Sequence, residues 1–193
     1  MTDEAPLEDT GAGLVPQGAG WFVVNVRDAA WLRNDAFGAR CTFEADGRVV
    51  QERPELHVQQ HQQLGIRVHV LEPGRPSTMY HRESEQEDFL VLKGECLLIV
   101  EGEERRMREW DLLHCAANTT HSFVGVGNEP CVMLMVGVRS EQGTILYPRD
   151  ATALAHGAGV EHDTSSPAEA YAPFPHWQLG RPRRWDELPW ADA

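Results

Sequence analysis

Short apolar runs punctuate the middle of this chain, one alternating with polar residues and the others continuous, and their length and boundaries predict strands rather than helices. Residues 66–71, 89–92, 96–100 and 131–136 are the clearest runs. Each is bounded by glycine, proline or charged turn formers, as strand ends usually are. Residues 73–76, 93–95 and 101–104 read as turns, and 105–108 can pair back on the strand before it. Residues 21–26 read as a further strand, and Asp28 before Ala29, Ala30, Trp31 and Leu32 suggests one short helical turn. Asp46-Gly47 should close a hairpin between 41–45 and 48–51, since that dipeptide supplies the positive φ of a tight turn. The whole pattern holds about nine to eleven strands and little helix, which predicts an all-β, closed or sandwiched fold.

Punctuation at the two ends sets the expected boundaries. Residues 1–20 hold six glycines and prolines among acidic residues and read as a flexible N-terminal arm. Residues 21–148 carry the strand pattern, and 149–193 form a C-terminal extension. In that extension Asp150 can cap a short helix through Ala155, and Ser166, Pro167 and Glu169 have the form of a capping box. Trp177, Trp185 and Trp190 suggest a segment that lies over the barrel, or over a partner subunit, and anchors by its indoles. Residues 96–100 and 131–136 are apolar on both faces, so chain extensions or a second subunit must cover them outside, and a homodimer is the economical explanation.

Charge narrows the partners. Seventeen basic against 30 acidic residues give a net charge of -13, a surface that repels phosphate backbones and anionic lipid. No nucleic acid or membrane partner is therefore expected. The acidic first twenty residues lack the apolar run of a signal peptide, and the four cysteines show no Cys-x-x-Cys pair. A cytoplasmic protein with buried reduced thiols is the expectation.

The candidate chemistry lies in residues 80–95, where an imidazole and several carboxylates run straight into an apolar strand. A charge entering a core must be paired, neutralised or bound to a metal. Side chains two apart on a strand share a face, so His81 and Glu83 point together, and after a turn the inward series resumes as Glu87, Phe89 and Val91. His121, opening another strand after a polar turn, is the best distant contributor.

Other polar groups have plainer readings. His57 and His61 lack partner ligands and suit a solvated loop, and Arg75 suits a solvated turn unless it grips a carboxylate at the barrel mouth. His114 and Cys115 are strand neighbours and cannot both face one site. His156, Glu161, His162 and Asp163 read as solvated. His69 should satisfy a hydrogen bond or line the pocket.

These two blocks resemble the two motifs of the cupin superfamily. The first motif has a glycine, a His-x-His pair, a glutamate and then a glycine. Here His81, Glu87 and Gly94 keep that spacing, with Glu83 in place of the second histidine. In the second motif Trp110, Ala116 and Asn118 replace glycine, proline and glycine, and only His121 is kept. Trp110, where the family prefers glycine, should plug a barrel end or cover an interface.

The resemblance implies a double-stranded β-helix, or jelly-roll barrel, over 21–148. It implies one divalent metal ion per chain bound by His81, Glu87 and His121, a set similar to the iron site of 3-hydroxyanthranilate dioxygenases. Iron is the first expectation, with manganese, nickel or zinc possible. Glu83 and His69 are then the expected catalytic groups, moving protons or orienting the ligands. The implied activity is that of a dioxygenase-like oxidoreductase on a small organic acid; an isomerase, a decarboxylase or a non-catalytic small-molecule binder are the alternatives.

Overall fold

A computed structural model of the chain describes residues 3–44 and 63–191. Its strands are β1 (Leu7–Asp9), β2 (Leu14–Pro16), β3 (Trp31–Asn34), β4 (Gly38–Thr42), β5 (Leu64–Leu71), β6 (Arg82–Glu83) and β7 (Glu87–Lys93). After them come β8 (Glu95–Val100), β9 (Glu103–Arg108), β10 (Leu112–Cys115), β11 (His121–Gly125), β12 (Cys131–Val138), β13 (Ile145–Leu146) and β14 (Gln178–Leu179). Helix is confined to α1 (Ala151–Ala155), α2 (Pro167–Ala170) and one 3-10 turn at Trp185–Glu187 among the described residues. No described helix is long and apolar enough to cross a membrane.

Two sheets make the barrel. One runs β10-β7-β12-β5-β4-β3-β14 and the other β11-β8-β9, with every pairing antiparallel. Leu71, Phe89, Val91 and Met133 from the larger sheet meet Leu98, Met107 and Phe123 from the smaller in one buried cluster, so the inner faces pack on each other. This is the double-stranded β-helix that the sequence implied. The chain crosses from β7 in the larger sheet to β8 in the smaller at Gly94, whose φ of 78° is left-handed, and a Cβ there would lie 2.7 Å from the Pro130 carbonyl oxygen. Only glycine fits both demands.

The chain's own extensions cover the outer faces. Trp31, Val68, Val70 and Val132 form a second buried cluster with Leu188, and Trp31 lies 5.7 Å from the Trp185 ring and 5.4 Å from Trp190. On the smaller sheet Ile99 and Val124 are capped by Ala153 of α1 and by Ala158. Burial of this kind stabilises by about 25 cal/mol per Å² of apolar area. The doubly apolar strands thus find their cover within one chain. Both helix caps form as the sequence suggested: Asp150 Oδ1 accepts from the Ala153 N–H at 2.9 Å, and Ser166 Oγ from the Glu169 N–H at 3.3 Å.

Several expectations need correction. Residues 3–20 are not a loose arm: β1 and β2 pair as a hairpin, and Val15 is buried. The glycines that suggested looseness make the turn, with φ of 85° at Gly11 and 123° at Gly13. Residues 21–26 form no strand, only a bridge from Trp21 to Glu4. The helical turn expected around Ala29–Leu32 is instead the start of β3, because Trp31 and Leu32 are buried in the sheet. The expected turn at Asp46-Gly47 and the segment with His57 and His61 lie outside the described residues. Trp110 plugs nothing, being 72% exposed.

Candidate metal centre

His81, Glu87 and His121 come together at one end of the barrel. One ligand atom from each lies within 4.8 Å of the others, close enough for a single ion to touch all three. The fold achieves this by pairing. His81 and His121 exchange both backbone hydrogen bonds, at 3.1 and 2.8 Å, so the imidazoles leave adjacent strands side by side, with ring centroids 5.1 Å apart. Glu87 opens β7 on the face that continues as Phe89 and Val91, both buried in the core.

The tautomers are set by the backbone. His81 Nδ1 lies 2.7 Å from the Met79 carbonyl oxygen and His121 Nδ1 lies 3.1 Å from that of Thr119. A carbonyl can only accept, so each Nδ1 carries a proton; His121 turns an Nε2 lone pair inward, and His81 does so once it gives up the Nε2 proton that faces Glu83. His121 Nε2 sits 3.5 Å from Glu87 Oε2, and His81 Nε2 sits 3.7 Å from Glu83 Oε1. Backbone carbonyls behind two histidines, with a carboxylate between, are what a divalent ion requires. The donor set fits iron, manganese, nickel or zinc.

Electrostatics agree with that fit. Burial raises Glu87 to about 7, helped by the negative charge of Glu83. Burial, with the neighbouring His81, lowers His121 to about 4. Both shifts favour the neutral forms, so their 3.5 Å contact gains little as an ion pair. Burial would also depress His81, but the carboxylates of Glu83 and Glu87 and the Met79 carbonyl outweigh it and hold its pKa above the ordinary value. The hydrogen bond to His81 holds Glu83 below its usual range. Without a cation the cluster keeps protons that a cation would displace.

The site opens into a cavity of about 690 Å³. His69 lines the same cavity, but its Nε2–H is given to the Phe37 carbonyl at 2.8 Å, and burial lowers its pKa to about 3. It is a neutral wall residue at ordinary pH. Arg75 is exposed and lines no part of the cavity. His114 pairs with Asp88 at the surface at 2.7 Å, while Cys115 is buried in the core. All four cysteines are free and buried.

Sequence reasoning missed four cavity residues: Arg40, Arg67, Tyr147 and Tyr171. Arg67 had a signal, since it alternates with His69 and so shares the inward face of β5. Tyr171 had none, because the extension's path over the barrel follows from tertiary packing.

Comparison with known proteins agrees with this geometry. Residues 67–137 match the cupin domain family. A sugar phosphate isomerase of the cupin superfamily from Silicibacter pomeroyi is 21% identical with a TM-score of 0.50, over 67% of this chain and 88% of that one. A putative sugar phosphate isomerase from Acidithiobacillus ferrooxidans is 24% identical with a TM-score of 0.44, over 56% of this chain and 64% of that one. KdgF from a Halomonas species is 18% identical with a TM-score of 0.48, over 64% and 97%. A search of curated proteins found no match. The barrel has the cupin fold, and the match to the cupin domain family is confined to residues 67–137. At these identities the structural likeness concerns the fold.

Proposed function

We propose that this protein is a metal-dependent enzyme of the dioxygenase type acting on a small organic acid, with one divalent ion, iron first among the candidates, held by His81, Glu87 and His121. The observation that carries the reading is the convergence of three donors at the end of a large cavity, with both Nδ1 atoms held by backbone carbonyls. A bound ion would supply Lewis acidity and, if iron, the electron transfer that activates dioxygen. The chain supplies the rest. Glu83, 3.7 Å from His81, orients that ring and can hold a proton at the cavity edge. Phe89 and Phe123 pack 4.9 and 6.0 Å from the His121 ring and keep water from that side. The guanidinium of Arg67 gives the cavity a positive wall for an acid.

Metal analysis and oxygen uptake test the reading. The purified protein should hold about one ion per chain, and iron-loaded protein should consume oxygen with some member of a panel of phenolic and enolic acids. A metal-free wild type would remove the proposal; a metal-bearing protein with no uptake would remove its oxygen step.

One observation favours a second reading, in which the ion acts only as a Lewis acid in an isomerase or decarboxylase. Tyr147 packs 5.6 Å from the His81 ring, and burial keeps its hydroxyl protonated far above the usual range. Such a phenol can donate a proton to a developing oxyanion. Turnover without oxygen, lost in Tyr147→Phe, would decide for it.

A further inference from the structure

The cavity has a second charged end, away from the three candidate metal donors. Cross-strand pairing lays its floor in rows: Glu87 opposite Gly137 opposite Gly65, then Phe89 opposite Met135 opposite Arg67, then Val91 opposite Met133 opposite His69, which faces Arg40. Neighbouring strands lie about 4.8 Å apart, so β5 stands roughly 10 Å from β7. Gly137 and Gly65 add no side chains of their own, and the Glu87 side chain and the Arg139 guanidinium lie over them, so the apolar part of the floor is Met135 and Phe89.

Three arginines line this space, and two are already engaged. Arg139 is paired with Glu44, and the Arg40 guanidinium lies 4.2 Å over the Trp177 ring. Arg67 is half-buried, and no carboxylate of the described residues lies within ion-pair distance of it. Glu83, Glu87 and the Tyr171 hydroxyl all feel its charge through space. Tyr171 oxygen accepts the Met79 N–H at 3.2 Å, and its ring packs edge-on against Tyr147 with centroids 5.9 Å apart. A hydroxyl that accepts one hydrogen bond still has its own O–H to donate. Ser77, 2% exposed and also on the cavity wall, has a hydroxyl without a hydrogen-bond partner. Desolvated donors and a half-buried cation without a counter-ion are costly unless a ligand satisfies them.

We infer that Arg67 and the Tyr171 hydroxyl form a carboxylate subsite about two strand spacings from the His81, Glu87 and His121 cluster. The substrate is then bifunctional: oxygens that chelate a cation at one end, a flat apolar body over Met135 and Phe89, and a carboxylate at the other. The two-pronged guanidinium suits that group, and a phosphate dianion is less welcome beside Glu83 and Glu87. The chelating end rests on the metal reading; the carboxylate end does not.

Calorimetric titration separates the two. Zinc-loaded protein should prefer 3,4-dihydroxybenzoate to catechol by about tenfold or more, as charge-assisted bidentate contacts allow. Arg67→Met should bring that ratio near one, Arg67→Lys should leave it between, and Tyr171→Phe should lower it severalfold. Far-UV circular dichroism checks that each variant folds. In chelator-treated protein, benzoate should bind weakly in the wild type and not in Arg67→Met. That benzoate result would uphold the subsite even if zinc failed to bind. An unchanged ratio in Arg67→Met together with undiminished benzoate binding would overturn it, as would equal loss of catechol and acid, which marks Arg67 as charge balance only. Tighter binding of phenylphosphonate than benzoate would overturn the carboxylate assignment in favour of phosphate.

Discussion

Residues 80–95 and 110–125 carry the candidate metal centre between them and hold it by opposite means. The first block keeps its chemistry in side chains: His81, Glu83 and Glu87 stand within it, and Gly94 makes the turn from β7 to β8. The second keeps a single donor, His121, and preserves the backbone instead. Trp110 and Asn118 stand where the family motif has glycine, and they hold left-handed φ values of 71° and 67°. The glycines of such a motif report a backbone conformation, which asparagine tolerates and tryptophan adopts at a cost. The donors report chemistry, which has no substitute.

The largest test of that contrast is His121→Ala. Metal content should drop from about one ion per chain to under about a tenth, and the rise in melting temperature on adding metal should vanish. Loss of that rise with the fold intact by circular dichroism would show that one donor from the second block is indispensable. Retained metal would break the comparison at its strongest point.

Protons give the next effect. A cation needs Glu87 ionised, and its pKa of about 7 means that a proton competes below that pH. Apparent metal affinity should therefore fall by up to about tenfold per pH unit below 7 and level off above it. Metal titrations from pH 5.5 to 8.5 check the slope, and Glu87→Gln should weaken binding and flatten it.

Backbone substitutions sharpen the comparison further. Gly94→Ala meets both a left-handed φ and a 2.7 Å approach to the Pro130 oxygen, and should cost ~2 kcal/mol by urea unfolding. Trp110→Gly should do the reverse. Relief of the left-handed strain contributes ~1–2 kcal/mol, while the freer unfolded chain takes back ~0.5–1. A 72% exposed indole loses little packing, so the net is a stabilisation of ~0.5–1 kcal/mol. A destabilised Trp110→Gly would mean that the indole works at a contact the chain alone does not make.

How much could be read in the sequence follows the same division. Strand β5 was legible from its alternation, and β7, β8 and β12 as short apolar runs bounded by turn formers. Grouping His81, Glu87 and His121 needed the spacing within one strand pair and the resemblance for the other. The N-terminal hairpin was not legible, since turn glycines and disordered glycines look alike until Val15 finds its place in the core. β3 misled because Asp28 before alanines imitates a helix start, while Trp31 is claimed by the sheet. Arg67 was visible in the pattern and passed over; Tyr171 comes from another part of the chain altogether.

The path of the C-terminal extension has a consequence for how such a protein can diversify. The same stretch that shields the outer sheet with Trp185, Leu188 and Trp190 also walls the cavity with Tyr171 and Phe174. Exchanging residues 167–177 could retune which molecules enter while leaving the cation's donors alone, because those donors sit on β7 and at the His81–His121 pairing. Ligand choice and ion capture are thereby separable inheritances, written in different stretches of one polypeptide.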